Sequence, residues 1–249
     1  MNTKPLVEGL ESDPRIDLVY DVPARLPGLL DTGVVDVALV PVIDLAQRYS
    51  DWQVVSDACI GAEGKSLTVR VFSHAAPESI SVLHVDGHSH TSVALAAILW
   101  KELYARDLQV LPLPDDARAG DCEAVLLIGD KVVTSRPEGF GVETDLGSAW
   151  QSLTSLPFVF AVWAAPRGMD TAELSSLLSA ARDLGVRSAG TIAEQLGPKM
   201  GWPITLAREY LTQRIKFTLG PTHSQGMAKF LELAKVHDLV PGLFESVFA

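Results

Sequence analysis

The chain has 249 residues, 47% of them hydrophobic, with 31 acidic against 20 basic side chains and a net charge of −11. That length can bury a substantial core in one large domain or two small lobes. A polyanion-binding surface shows the reverse charge balance, and no run of Lys and Arg makes a local exception, which excludes nucleic acid as a partner.

The first residues, MNTKPLVEGLESDPR, lack a basic stretch followed by a long apolar one, so no secretory leader is expected. No apolar run approaches about 18 residues, so no membrane-spanning helix is expected either. Residues 16–21, IDLVYD, read as a short strand, and VPARLPGLLDTG reads as a short helix ended by Gly33. Residues 34–41, VVDVALVP, are almost continuously apolar, as expected of a parallel strand covered on both faces. Cys59 and Cys122 stand far apart with no CxxC spacing; a buried, reduced pair fits a reducing cytoplasm.

SLTVRVFSH, at 66–74, alternates more, and SVLHVD follows the break at Pro77. A helix over 91–104 places Leu95, Ile98, Leu99 and Leu103 on one face. LQVLPLP and EAVLLIGDKVV add two strands, and LPFVFAVWAAP, at 156–166, is long, apolar and bounded by prolines. Helical patterns then cover 172–184, 188–196, 204–214 and 226–237. Strand and helix alternating in this way predict an α/β fold with mostly parallel sheet. If the chain forms two lobes, 66–74 and 156–166 are long enough to run between them.

The strand-to-helix junction DGHSHTS, residues 86–92, concentrates short polar groups in an apolar neighbourhood. The first N–H groups of a helix lack intrahelical partners and carry the positive end of its dipole. One Ser or Thr suffices to cap them. Ser89, Thr91 and Ser92 in one turn can also hold a carboxylate with hydroxyls and backbone N–H groups together. Capping and an anion site both remain open on this pattern. His88 and His90 are spaced His-x-His, but no second cluster of ligands accompanies them, so no metal is expected. His90 fits better as a donor at the mouth of an anion site, and His74, His84, His223 and His237 read as ordinary surface or core residues. In open α/β sheets ligands sit outside the carboxyl ends of strands. Pro41 and Val42, the 86–92 junction, and Ile128 to Asp130 are three such ends, and they are expected to meet in one cleft. No GxSxG, Walker loop, GxGxxG or HExxH occurs.

NTKPLVEGL, DVALVPVID, DGHSHTSVAL, LLIGD, DLGSAW and LPFVFAVWAAP follow one another in this order. Together they resemble the chorismate dehydratases of the futalosine route to menaquinone, from residue 2 to the C-terminus. The resemblance implies a two-lobed periplasmic-binding-protein-like fold of the second type, with two crossing strands and an interlobe cleft. The lobes implied are 1–74 with 166–249, and 75–165. It also implies a cytoplasmic lyase that takes water from chorismate to give 3-[(1-carboxyvinyl)oxy]benzoate, with no metal or organic cofactor. The 1,4-dihydroxy-6-naphthoate synthase of the same route and a non-catalytic solute-binding protein are the rival functions.

By that resemblance Asn2 faces the substrate as the Asn of Asn-Thr-x-Pro and is the catalytic candidate. Thr68 keeps a hydroxyl where the family more often has Ser. Ser89, Thr91 and Ser92 match a Ser-x-Thr-Ser substrate cradle, and His90 stands where Arg is frequent. Asp130, in LLIGD, is either a substrate-facing base or the cap of the next helix; a carboxylate of the substrate could also take the proton. The family carries a strand of about ten residues ahead of Asn-Thr, so an in-frame apolar segment upstream of Met1 is expected.

Overall fold

The structure is a computed structural model, and it describes residues 1–48, 50–87, 89–113 and 119–239. His88 lies outside them. The chain opens with two 3-10 turns, Lys4–Leu6 and Leu10–Ser12, and then α1 (Leu26–Asp31). Gly33 follows α1 at φ +67°, a conformation that glycine adopts without a side-chain clash. The strand expected at 16–21 does not form: those residues pair with nothing in either sheet, and Val19 and Tyr20 are exposed.

Next come β1 (Ala38–Pro41), α2 (Val42–Gln47), β2 (Trp52–Ala62), β3 (Val69–Ser73) and β4 (Val82–Val85). They are followed by α3 (His90–Tyr104), β5 (Gln109–Pro112), β6 (Ala124–Ile128), α4 (Lys131–Thr134), β7 (Val142–Asp145) and α5 (Leu146–Thr154). The last part holds β8 (Phe158–Pro166), α6 (Ala172–Arg187), α7 (Ala189–Leu196) and α8 (Ile204–Glu209). A π-helical turn, Tyr210–Arg214, then leads into β9 (Ile215–Thr218) and α9 (Pro221–Val236).

The strands make two sheets, ordered β1-β8-β2-β9 and β5-β4-β6-β3-β7. The mostly parallel arrangement expected from the sequence does not occur. β4 runs parallel to β5 and β6, and the remaining pairs are antiparallel. The reason is that an unbroken apolar run reports burial on both faces and says nothing of direction. β1 is buried throughout, yet it pairs antiparallel with β8.

β8 belongs to the first sheet and β3 to the second. Neither strand spans both, so the chain passes between sheets ahead of them, over residues 63–68 and 146–157. By sheet membership the inserted unit runs from β3 to β7.

The two faces of the first sheet serve different cores. Leu39, Ala161 and Trp163 pack toward Leu6, Leu178 and Tyr210 in one cluster. Val40, Val162 and Ala164 face the other way, into a cluster that continues through Leu95, Leu99 and Trp100 of α3 to Leu83 and Leu126 of the second sheet. One apolar core therefore joins the sheets. α3 supplies its centre, with Leu95, Ile98 and Leu99 fully buried as their spacing predicts and Leu103 left 37% exposed at the helix end.

Candidate active site

The carboxyl ends of β1, β4 and β6 meet. After β1, the short helix α2 places Asp44 against the first turn of α3. Its carboxylate oxygens lie 2.9 and 3.0 Å from Nδ1 of His90, and Asp44 is 5% exposed. One residue earlier, the Ile43 N–H donates to Oγ1 of Thr91 at 3.2 Å. That N–H is an orphan donor of the first turn of α2, so Thr91 satisfies a helix in the neighbouring sheet's territory. The ends of β4 and β6 are tied by Lys131, whose ammonium donates to Asp86 at 2.8 Å.

Ser89 has extended backbone (φ −148°, ψ 107°) and its hydroxyl oxygen accepts from the Ser92 N–H at 3.2 Å. This is the capping role. Its own proton goes to Oγ of Ser92 at 2.9 Å. The hydroxyl cluster at 86–92 is thus engaged in holding α3 and α2, with Thr91 and Ser92 buried and Ser89 and His90 half-buried.

A second cluster gathers around Tyr210, the first residue of the π-helical turn. Its hydroxyl lies 3.0 Å from Oγ1 of Thr68, and Asn2 is close by, next to the Met1 that meets Asp130. Burial pushes this phenol well above the ordinary tyrosine range, with Asp130 adding in the same direction, so it stays protonated. The Trp202 ring leans on it at 5.1 Å between centroids. Trp202 Nε1 in turn donates to Oδ1 of Asp130 at 2.8 Å, and the Met1 amino group lies 3.2 Å from Oδ2. Thr68 and Asp130 are adjacent because the Gly129 N–H donates to the Thr68 carbonyl at 2.8 Å.

Asp130 therefore does not cap α4. It stands at the N-cap position with helical backbone (φ −61°, ψ −30°) and no side-chain cap bond, because its carboxylate is turned toward Trp202 and Met1.

The passage that carries Thr68 is pinned by Asp145. One carboxylate oxygen accepts from the Ser66 N–H at 2.9 Å and the Ser66 hydroxyl at 3.1 Å, and the other accepts from the Leu67 N–H at 2.8 Å. The first oxygen also caps α5 through the Ser148 N–H at 3.0 Å. Leu67 is held at φ +68°, in the left-handed region that non-glycine residues rarely adopt. Gly147 allows this closeness, since a Cβ there would run into the Gly64 carbonyl and Ser66.

The structure brings Asn2, Thr68 and Asp130 into one cluster and Ser89, His90, Thr91 and Ser92 into another. Sequence reasoning missed Asp44, Tyr210, Trp202 and Asp145. Asp44 carried a signal, an acid inside an apolar run, whereas Tyr210 sat inside an ordinary helical pattern. Chemically the arrangement offers hydroxyls and an amide for polar recognition, with carboxylates at Asp44 and Asp130 and an imidazole at His90. Among the described residues no group of three or more His, Cys, Asp or Glu is placed to hold a metal ion. A separate cavity of about 380 Å³, flanking β9 and lined by Glu63, Lys216, Phe217 and His223 among others, contains none of the expected site residues.

Comparison with solved structures agrees with this architecture. A protein of Archaeoglobus fulgidus superposes with a TM-score of 0.70 at 14% identity, covering 96% of this chain and 95% of its own. The alkanesulfonate-binding protein of Xanthomonas axonopodis pv. citri, bound to MOPS, gives 0.65 at 15% identity, covering 96% and 88%. These likenesses show a periplasmic-binding-protein-like fold. Among curated proteins, the chorismate dehydratase of Thermus thermophilus is 29% identical over 238 residues, covering 86% of this chain and 85% of that one. Residues 1–236 match the family described as menaquinone biosynthesis, and the chain belongs to that family.

Proposed function

We propose that the protein dehydrates chorismate to 3-[(1-carboxyvinyl)oxy]benzoate, the first step of futalosine-dependent menaquinone synthesis. The observation that carries this reading is the similarity to a chorismate dehydratase along most of both chains. The two residue clusters support it chemically. Loss of the ring hydroxyl and the neighbouring ring proton makes the ring aromatic, so the product is strongly favoured and the protein's task is orientation, departure of the hydroxyl and proton removal. Asn2 and Thr68 are an amide and a hydroxyl suited to hydrogen-bonding the leaving group or a substrate carboxylate. Ser89, His90, Thr91 and Ser92 stand at the N-terminus of the 15-residue helix α3, whose dipole favours an anion. The free, buried thiols of Cys59 and Cys122 support a reducing, cytoplasmic setting; burial pushes Cys59 up to about 12, which keeps it inert.

The test is incubation of purified protein with chorismate, followed by detection of the aromatic ether. Formation of that product supports the reading. Tight binding without turnover would instead favour the solute-binding function, and turnover of a cyclic futalosine with chorismate untouched would favour the naphthoate synthase.

A further inference from the structure

We propose that Tyr210 is a positioning residue of this dehydration, fixing the direction in which the Thr68 hydroxyl presents itself to the substrate. The proposal rests on the dehydratase reading above. A phenol can donate one hydrogen bond and accept another, and the polar atom that the Tyr210 hydroxyl meets belongs to the candidate site, Oγ1 of Thr68 at 3.0 Å. Thr68 comes from the passage between sheets and Tyr210 from the turn that leads into β9, so this bond ties the two together.

Several features hold that hydroxyl still. The ring is 1% exposed, Trp202 leans against it, and Trp202 is itself anchored on Asp130. The backbone at Tyr210 opens a π-helical turn, where α8 widens before β9. Such turns are uncommon, cost regular hydrogen bonding, and recur where a side chain must be aimed. A phenylalanine would fill the same volume, so packing alone gives no reason for the hydroxyl. Retaining its proton, the phenol serves as a fixed hydrogen-bonding post and takes no part as acid or base.

Steady-state kinetics with chorismate on the wild type and Tyr210→Phe, alongside thermal melts, test the idea. Misplacement of reacting groups by about an ångström costs on the order of 10²-fold in rate. The expected result is a kcat lower by roughly 10- to 100-fold with KM within about two-fold. Thr68→Val removes the same bond from the opposite side without disturbing the ring, and Thr68→Ser retains the hydroxyl. The Val variant should lose kcat, and Ser should restore most of it. The double variant Tyr210→Phe with Thr68→Val should lose little more than the worse single one, as expected of two groups acting as a unit. Should Tyr210→Phe melt below assay temperature, the Thr68 pair decides. A folded Tyr210→Phe or Thr68→Val enzyme with wild-type kcat overturns the proposal and leaves the dehydratase reading intact. Wild-type protein that is folded yet forms no aromatic product overturns both.

Discussion

The Asp44 carboxylate and the His90 imidazole meet at 2.9 Å, joining the helix after β1 to the first turn of α3 and hence one sheet to the other. A hydrogen bond to a charged group contributes roughly 1.5–3 kcal/mol. Asp44→Ala is expected to lower stability by about that amount, read as a reduced urea midpoint at unchanged m-value. An unaltered midpoint would mean that this contact adds nothing to the hold between the two sheets.

Thr91 separates a structural role from a binding one. Thr91→Val leaves the Ile43 N–H buried without its acceptor, at an expected cost of about 1–3 kcal/mol, whereas Thr91→Ser retains the bond and most of the stability. Ser89→Ala, which removes the cap of α3, is expected to cost about 0.5–2 kcal/mol. Chorismate titrations on the same variants then show whether these hydroxyls also serve the ligand: a weakened Kd in a Ser89→Ala protein that remains folded marks a direct contact.

Asp145 holds three donors of the 64–68 passage and one of α5. Asp145→Ala should destabilise by at least about 2 kcal/mol, since donors are left without their charged acceptor. It should also lower turnover, because Thr68 follows Leu67 directly. Gly147→Ala is expected to act in the same direction by pushing that passage away, with an overpacking cost of about 1–3 kcal/mol. Full activity in a folded Asp145→Ala protein would show that Thr68 is placed by other contacts.

His223 supplies a pH dependence unconnected with the candidate site. Burial holds its pKa below the ordinary histidine value; Lys216 adds to that effect, and Glu63, 3.7 Å away, opposes it. The unfolded chain therefore takes up the proton first as pH falls through about 6.5, and the folded form resists it. Stability is retained above that range and declines below it. Melting temperatures measured between pH 7.5 and 5.5 should fall for the wild type and fall less for His223→Gln. Equal slopes in the two proteins would assign the acid sensitivity elsewhere.

Much of this architecture can be read from residue patterns. The spacing of Leu95, Ile98 and Leu99 places α3, and the prolines at both ends of 156–166 bracket β8. β2 is the largest omission. Its register shifts between Val54 and Cys59 and again between Ile60 and Gly61, and such bulges break the two-residue alternation on which strand recognition depends. Sheet direction was illegible because β1 and β8 are covered on both faces. At the site, the polar cluster of 86–92 was visible as composition, but its use was decided by distant partners. Asp44 claims His90, and Ile43 claims Thr91. Tyr210 and Trp202 lie inside or beside helical patterns where aromatic residues are commonplace, and only the fold shows that their polar atoms face Thr68 and Asp130.

The crowding of Asp145, Gly147, Gly64 and Ser66 also has a counterpart across the second sheet, and the pair frames the seam between the two sheets. Both passages between them touch at this one place, at the end of β7. The Asp44–His90 contact lies beyond β4, three strands away in the second sheet. The arrangement is that of a book, with a spine along Asp145 and a clasp at Asp44. The spine binds the two connectors to each other through Asp145, and the clasp binds a helix after one sheet's strand to a helix after the other's. Thr68 sits beside the spine and His90 at the clasp, so each of the two candidate clusters lies at a point where the sheets are fastened.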